Sequence, residues 1–310
     1  MHRLVVCSYV FLAVALTSIA CQAQHSGGDD LLPAPSVGQT HLSRALQRAR
    51  ASGVDSAFLA GVVLAPGTAF DEKYVRVNVT NYASKPDYSF NLTPQSVDKV
   101  RSFLAKHDSL LRRADSIYGV PKEVIASLLW VESKHGVVLG KNHVVSVYLS
   151  TLLASDSEFV DKNTAAVMTA QKIDSTKIDS VRAAIQKRAD RKVKWSVEQL
   201  KALQEIHRRR TMNVHTLHGS WAGAFGMPQF IPSSYLSWAA DGNNDGIIDL
   251  NDLNDAVVSV ANYLRKNGWG SAESQQRAAV HHYNNSNAYV DCVLTLAAKV
   301  SGQPASQPRQ

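Results

Sequence analysis

The sequence predicts a mainly α-helical protein with one loop of a metal-binding type. Three observations support this prediction. Apolar residues recur at helical spacing in several stretches, helix caps and helix-ending glycines bracket these stretches, and residues 241–252 have the oxygen-rich spacing of a calcium loop. The 310 residues are 45% hydrophobic, which is enough to close a core without a disulfide framework. Fibrous and disordered classes are therefore excluded.

The N-terminus has the layout of a secretion signal. An apolar run over Leu4–Ala20 follows a positively charged start and ends directly before Cys21, as in bacterial lipoprotein signals. Ordinary cleavage at a small-x-small site would use the same residues. We expect a signal peptide over 1–20, a lipid on Cys21 and a polar, flexible tether over 21–40.

Residues 41–92 are predicted to form a small accessory N-terminal region. The apolar spacing is helical from His41 to Leu64, whereas alternating valines between Lys73 and Thr80 indicate a short strand. The main domain is expected over 93–301, with 302–310 as a disordered tail. It begins with a helix that has a cap and a proline at its first positions.

A second helix of this domain, from Pro121 to Gly136, carries the most informative residue. Ile125 and Leu128 mark its core face, and Glu132 occupies the i+7 place on that same face. Burial raises the pKa of a carboxyl toward the range of a general acid, so this position suits catalysis. The alternative is a glutamate that faces solvent or pairs with a neighbouring basic residue.

The loop over 241–252 has a glycine at position six and oxygen donors at the positions an EF-hand uses. Position twelve is aspartate rather than glutamate, so we expect weaker or more rigidly templated binding. An Asx-rich turn without metal is the alternative. The predicted ligands are Asp241, Asn243, Asp245, the carbonyl of Ile247, Asp249 and Asp252.

Two further segments hold candidate residues. The glycine-rich run 219–235 offers aromatic faces and polar groups that suit a sugar-binding cleft, although a turn between helices with buried aromatics would have the same composition. The last helix places Cys292 in an apolar stripe, which predicts a free buried thiol. The neighbouring pair His281 and His282 lacks the spacing of a zinc site.

The charge is concentrated in one segment. Residues 161–210 contain thirteen Lys and Arg against six Asp and Glu, an excess that equals the +7 of the whole chain. On an exported protein such a basic segment indicates an anionic polymer or lipid as its partner, or simply a solvated helical face. No base-reading motif accompanies it, so we expect no nucleic-acid partner.

Taken in order, the motifs of this chain resemble those of the membrane-bound lytic murein transglycosylase B family. The resemblance covers about residues 88–300, with a gap across the basic segment. The motifs that carry it are Tyr118–Pro121, Val131–Gly136, Gly219–Tyr235, the calcium loop, Val260–Leu264 and Tyr283–Asn284.

The resemblance implies a lysozyme-like fold and a peptidoglycan substrate. Enzymes of this family cleave the β-1,4 bond between N-acetylmuramic acid and N-acetylglucosamine and leave 1,6-anhydromuramoyl ends. Glu132 would be the single acid and base, which distinguishes the reaction from two-carboxylate glycosidases. A muramidase-type hydrolase on the same scaffold and a non-catalytic peptidoglycan-binding lipoprotein are the alternatives.

The resemblance also implies the partners and the location. Calcium would be structural, with no organic cofactor. The protein would lie in the periplasm of the bacterial cell envelope, anchored to the outer membrane through Cys21, where proteins of cell-wall synthesis or division are further candidate partners. The residues expected to bind substrate are Ser220, Gln229, Phe230, Tyr283, Asn284 and Tyr289.

Two departures from the family pattern affect the substrate groove. The family usually has an aromatic residue where this chain has His135, and it carries a pair of arginines that has no counterpart in Leu153–Glu158. We expect the basic clusters at Arg208–Arg210 and Arg188–Lys192 to take over contacts with anionic groups of the substrate.

Overall fold

The computed structural model describes residues 36–80 and 87–302, and these belong to one compact unit. Within these ranges the chain forms thirteen α-helices and a two-stranded antiparallel sheet; no helix in them is long and apolar enough to span a membrane. The helices are α1 Val37–Ala51, α2 Ser56–Leu64, α3 Glu72–Thr80, α4 Pro94–Lys106, α5 Asp108–Tyr118, α6 Lys122–Ser133, α7 Val144–Thr151, α8 Ser157–Gln171, α9 Ile178–Arg209, α10 Pro232–Trp238, α11 Leu253–Lys266, α12 Glu273–Tyr283 and α13 Asn287–Ser301.

The mainly helical fold class is confirmed. The start of α4 is as expected, because the Thr93 side chain accepts a hydrogen bond from the Ser96 amide and Pro94 occupies the first turn. The predicted signal peptide, the lipid on Cys21 and the tail after residue 302 lie outside the described residues, and so does the predicted tether except for its last residues. There, α1 begins at Val37 behind a capping box of Ser36 and Gln39, so residues 37–40 are helical.

The strand predicted over Lys73–Thr80 is wrong, because these residues form α3. The side chains that it buries are Tyr74, Val75, Asn78 and Val79, at i, i+1, i+4 and i+5, which is the period of a helix. Alternating valines satisfy both periods over so short a run. Packing against α7, α8 and α9 decides in favour of the helix.

The accessory N-terminal region shares a continuous apolar core with the rest of the unit. Charged pairs fix its outer side to the start of α8. Arg44 binds both Asp156, at 2.6 Å, and Glu158, at 2.5 Å, while Arg48 contacts the other oxygen of Asp156 at 2.6 Å. These pairs hold α1 in one register against α7 and α8.

The basic segment 161–210 is mostly helical and consists of most of α8 and the 32 residues of α9. One face of α9 is buried against α7, α8 and α10. Its apolar contacts include Ile185, Leu200 and Leu203, which are fully buried. The segment is therefore part of the core, with its charges on the outer face.

The sheet consists of β1 Asn142–His143 and β2 His218–Gly219. It joins the segment that follows α6 to the glycine-rich run 219–235. Asn142 pairs with Gly219 and His143 pairs with His218. This short sheet positions the glycine-rich run beside the end of α6.

Candidate active site

The C-terminal end of α6 presents Glu132 at the centre of the site. Its core face, including Ile125 and Leu128, is fully buried against α4, α5, α11 and α13. The helix ends at Ser133, and Lys134 and His135 then adopt left-handed φ angles of 54° and 57°. Two consecutive left-handed residues without glycine turn the chain sharply, so Glu132 stands in the last turn at the edge of the core.

The electrostatic environment of Glu132 suits a proton carrier. The side chain is half-buried, and its carboxylate accepts a hydrogen bond from the hydroxyl of Tyr289. Burial raises the pKa of Glu132 from 4.5 to about 7, while the Tyr289 hydrogen bond and the charge of Lys134 oppose the rise. A group with this pKa exchanges its proton readily near neutral pH.

Three tyrosines surround this carboxyl. Tyr289 is 1% exposed, with the ring of Tyr88 edge-on at 5.6 Å and the ring of Tyr283 parallel to it at 6.5 Å. Asn284 hydrogen-bonds the Tyr88 side chain, and the Tyr283 hydroxyl donates to the carbonyl of Pro228. Burial raises the pKa of all three phenols, which keeps them neutral donors beside Glu132.

Lys134 ties the end of α6 to the segment before α4. Its ammonium group donates to the side-chain oxygen of Asn91 and, at 3.3 Å, to the carbonyl of Trp130. The same group lies 4.8 Å from the Trp130 ring centroid and 5.1 Å from that of Phe90. It is therefore held between two aromatic faces, and burial lowers its pKa.

His135 takes part in an aromatic stack beside the end of α6. Its ring stacks on Phe103, with centroids 3.7 Å apart and planes 11° apart, and its Nε2 lies 2.9 Å from the carbonyl of Ala126. Burial lowers its pKa to about 4. A neutral imidazole thus takes the stacking role, and it does not pair with Glu132 as the sequence allowed.

Several contacts join the end of α6 to the glycine-rich run. The Ser133 hydroxyl donates to the carbonyl of Met227 at 2.7 Å, and the Met227 side chain covers Gly136. The side-chain amide of Gln229 donates to the carbonyls of Gly226, at 2.8 Å, and Leu139, at 3.4 Å. Gln229 therefore lies beside the segment that follows α6.

Ser220 shapes the tight turn at the start of this run. Its hydroxyl oxygen accepts from the amides of Ala222 and Ala224, at 3.2 and 3.1 Å. The turn then passes Gly223, whose φ of 77° and contact with the Tyr148 ring leave no room for a side chain. The neighbouring Trp221 is 42% exposed, so this run presents one stacking face to solvent.

The other aromatic residues of the run are buried, as the alternative reading of this segment proposed. Phe230 is 2% exposed and packs against Tyr263 and Tyr283, with ring centroids at 5.5 and 5.8 Å. Phe230 therefore packs against Tyr283, one of the three tyrosines around Glu132. Beside it, a cavity of about 260 Å³ opens between Gln229 and Trp238. Gln229 and Tyr283 both line this cavity.

The predicted calcium loop, residues 241–252, is closed by hydrogen bonds that its carboxylates accept from backbone amides. Asp241 accepts from Asn244 at 2.6 Å and Gly246 at 2.8 Å, and Asp245 accepts from Ile247 at 2.8 Å. In the described residues no three His, Cys, Asp or Glu side chains converge as a metal cluster. The structure thus shows an Asx-rich turn. The oxygen donors of the loop are of the kind that a hard cation such as calcium binds.

Two aspartates at the end of this loop have different roles. Asp252, predicted as the position-twelve ligand, caps α11 and accepts from the amides of Asn254 and Asp255. Asp255 was not predicted. It is 1% exposed and accepts from Gly242 and Asp249, both at 2.7 Å. Burial raises its pKa, and it is the carboxylate that closes the loop from within.

The geometry also identifies residues that the sequence did not single out. Tyr88, Phe90 and Asn91 contact Tyr289 or Lys134 from a segment before α4 that has no apolar periodicity. Cys292 is free and buried, as predicted, and lies under the same segment with its thiol 3.6 Å from the Tyr88 carbonyl. Only the three-dimensional contacts reveal these neighbours.

Comparison with known proteins identifies a relative by sequence. A curated relative, membrane-bound lytic murein transglycosylase B of Escherichia coli, is 30% identical over 178 residues, which are 57% of this chain and 40% of that protein. The match thus spans about two fifths of the relative's length.

Solved structures share the architecture. SltB3 of Pseudomonas aeruginosa, in complex with NAG-anhNAM-pentapeptide, has a TM-score of 0.62 at 20% identity and covers 87% of this chain and 81% of its own. The E. coli lytic transglycosylase Slt35, in complex with calcium, has a TM-score of 0.57 at 21% identity, covering 84% and 92%. The family model described as the Transglycosylase SLT domain matches residues 39–281, and the chain therefore belongs to this transglycosylase family.

Proposed function

We propose that this protein is a peptidoglycan lytic transglycosylase in which Glu132 is the single acid and base. The observation that carries the proposal is a half-buried carboxyl with a pKa of about 7 whose hydrogen-bond partner is a tyrosine. The charged neighbour that acts on this pKa is Lys134 rather than a second carboxylate. In two-carboxylate glycosidases, by contrast, the two carboxyl groups lie about 5–10 Å apart.

The proposed reaction starts with Glu132 protonated. It donates its proton to the oxygen of the bond between N-acetylmuramic acid and N-acetylglucosamine, and the acetamido oxygen of the substrate stabilises the cationic sugar. The resulting carboxylate then removes the proton from the muramoyl C6 hydroxyl, which closes a 1,6-anhydro ring. Glu132 ends protonated again, so the cycle balances without water.

The neighbouring residues would hold and orient the substrate. Gln229 and Tyr283 line the cavity of about 260 Å³ and would offer polar groups to a sugar there. Ser220 lies in the turn at the start of the glycine-rich run, and Asn284 ends α12 beside the Tyr88 side chain. Tyr289 and Phe230 are buried, so their proposed role is to position Glu132 and Tyr283 rather than to cover a sugar.

Calcium fits the loop by its donor chemistry, and we include it in the proposal as a structural ion. Asp241, Asn243, Asp245 and the carbonyl of Ile247 would hold it, and the ion would neutralise carboxylates that otherwise repel Asp255. The Slt35 structure in complex with calcium supports this assignment. The ion would fix the loop that contacts Met227 through Leu250.

The proposal extends to the location of the protein. The curated relative is described as membrane-bound. A lipid on Cys21 would tether the catalytic unit to the outer membrane in the periplasm, within reach of peptidoglycan and of proteins that build or divide the wall.

Product analysis tests the function. Purified protein incubated with isolated sacculi should release muropeptides that each lack one water relative to hydrolysis products, as mass spectrometry detects. Glu132→Gln should reduce release by at least about 100-fold, whereas Glu198→Gln, at an exposed position on α9, should not. Reducing ends in place of anhydro ends would indicate a muramidase, and no release by the parent protein would indicate a binding lipoprotein.

A further inference from the structure

Four histidines gather around the short sheet of β1 and β2, and the proposed reaction uses none of them. His143 and His218 pair across the sheet with ring centroids 5.9 Å apart, and Nε2 of His143 lies 2.8 Å from the carbonyl of His215. The ring of His215 in turn meets that of His207, in the last turn of α9, edge-on at 4.8 Å. These four residues are called the histidine cluster below.

The cluster joins the sheet to α2. The ring of Phe58 stacks on His215 with centroids 5.7 Å apart and contacts His207 at 5.6 Å. A Cβ on Gly61 would lie 3.2 Å from the His215 ring, so the imidazole packs directly on the backbone of α2. Nδ1 of His215 is buried and has no hydrogen-bond partner within the described ranges. Such packing leaves no acceptor for an added proton on this nitrogen.

His143 is built into the sheet as a neutral ring. It is 8% exposed, and its Nε2 donates to the His215 carbonyl while its Nδ1 lies 2.7 Å from the hydroxyl of Ser146, from which it can accept. Burial lowers the pKa of both His143 and His215, and the neighbouring histidines of the cluster lower it further.

The surroundings offer the cluster no balancing negative charge. In the part of the chain that the structure describes, none of the four histidines lies at ion-pair distance from an acid. The charged residues nearby in sequence or on contacting elements are Asp55, Asp71, Lys73, Lys141, Glu205, Arg208, Arg209 and Arg210.

The three acids among them are already engaged. Asp55 caps α2, and Asp71 binds Lys73 at 2.7 Å. Glu205 binds Arg208 and Arg209, at 2.7 and 2.6 Å. The helix α7, which contacts His143 through Ser146, has no charged residue. Protons taken up by the cluster therefore repel one another without a counter-charge.

The sheet that the cluster surrounds holds the start of the glycine-rich run. The Val144 amide donates to the Leu217 carbonyl at 2.9 Å, and the Asn142 side chain donates to the Gly219 carbonyl at 3.2 Å. Strands of two residues each have little stability of their own, so repulsion between their side chains is enough to open them locally. The same run contacts the end of α6 through Met227.

We propose that the histidine cluster is an acid-sensitive junction, which holds the glycine-rich run in place near neutral pH and releases it when the cluster is protonated. Its consequence for catalysis rests on the proposed function. The pKa values of His143 and His215 are lowered from the ordinary 6.5 in the folded state. Stability from these groups is therefore complete above pH 6.5 and is lost as the pH falls below it.

Amide hydrogen exchange of the full chain tests the junction without any substrate. After correction for the intrinsic effect of pH on exchange, protection of the Val144 amide should fall at least about tenfold from pH 7 to 5, since one pKa unit on one histidine is a factor of ten. The double variant H207Q/H215Q should lose at most about threefold, because the charges that face the sheet are removed. His281→Gln, on α12 outside the cluster, should behave like the parent.

A single variant guards against misfolding of the double one. His207→Gln changes an exposed side chain and removes one charge that faces His215, so it should reduce the loss of protection. Equal protection of Val144 at pH 5 and 7 in the parent, or equal losses in the parent and both variants, would overturn the proposal. A loss that extends equally to the amides of α6 would indicate global unfolding and would overturn it as well.

Cleavage of soluble glycan fragments gives a second readout. If protonated Glu132 were the only titrating group, kcat/KM would be level below pH 7. The junction adds an ascending limb between about pH 5 and 6.5, which H207Q/H215Q should remove and His281→Gln should keep. A level acid side in the parent would overturn the link to catalysis. A parent that cleaves nothing would reject the proposed function, whereas hydrogen exchange would still decide on the junction.

Discussion

The hydroxyl of Tyr289 donates a hydrogen bond to the carboxylate of Glu132, joining α13 to the last turn of α6. The two residues are 157 positions apart in the chain, and Tyr289 is almost fully buried. Burial pushes the pKa of Glu132 upward and this donor pulls it down, so the balance near 7 depends on both. A group that is proposed to act first as an acid and then as a base needs a pKa near neutral pH.

Removing the donor tests its role. Tyr289→Phe keeps the ring but removes a hydrogen bond to a charged group, which is worth roughly 1.5 kcal/mol. The pKa of Glu132 should rise above 7, so the descending limb of the pH profile of kcat/KM should move to higher pH, by about one pH unit for this energy.

The matched control is Tyr235→Phe, which removes a buried hydroxyl that donates to the Ile248 carbonyl at 3.0 Å. It should lower stability without moving the pH profile. Identical profiles for Tyr289→Phe and the parent protein would show that the hydrogen bond does not tune Glu132.

The pKa of Glu132 also predicts how stability depends on pH. The folded value of about 7 exceeds the ordinary value of 4.5, so the folded state binds the proton more tightly than the unfolded state. Stability from this group is fully present below pH 4.5 and is lost as the pH rises to 7. After allowance for partial exposure, the loss should be about 1–2 kcal/mol.

Chemical denaturation of the parent and of Glu132→Gln between pH 4 and 8 measures this effect. The amide does not titrate, so the variant should gain relative to the parent as the pH rises and the gain should level off above 7. A difference in unfolding free energy that stays constant over this range would contradict the pKa assigned to Glu132.

A pair of glycines isolates the contribution of one close contact. Gly223 has a φ of 77°, and a Cβ there would lie 2.4 Å from the Tyr148 ring; Gly119 has a φ of 66° and open space around it. Gly119→Ala should cost about 1 kcal/mol from backbone strain alone. Gly223→Ala should cost at least about 3 kcal/mol, because the buried ring must also move.

Urea denaturation of both variants gives the two free energies of unfolding. Similar costs would show that the turn after Ser220 relaxes around a methyl group, and the loop would then be less rigid than its contacts indicate.

The sequence predicted those parts of the site that depend on local periodicity. Glu132 stands where the apolar spacing of α6 placed it, because a single amphipathic helix determines which face enters the core. The end of α6 was located within three residues, since Gly136 marks the turn, although Lys134 and His135 already leave the helix with left-handed φ angles.

The rest of the site depends on contacts that no local pattern encodes. Tyr88 and Asn91 reach Tyr289 and Lys134 from a short segment without periodicity, so only tertiary packing reveals them. The role of Asp255 depends on the burial of α11 against the loop, which the twelve-residue spacing does not include. Over Lys73–Thr80 the valines fit two periods equally well.

Calcium should stabilise the protein through the loop that begins at Asp241. Binding at about 100 times the dissociation constant adds about 2.7 kcal/mol, which corresponds to an increase in Tm of roughly 5–10 °C for a domain of this size. Asp241→Asn replaces one carboxylate oxygen with an amide donor, so most of this increase should be lost. Asp98→Asn, on an exposed side chain of α4, should keep the full increase and serves as the control. Differential scanning calorimetry with calcium and with chelator measures both. If calcium does not change the Tm of the parent protein, the loop does not bind the ion. It would then be a turn closed by its own hydrogen bonds, with Asp255 as its buried centre.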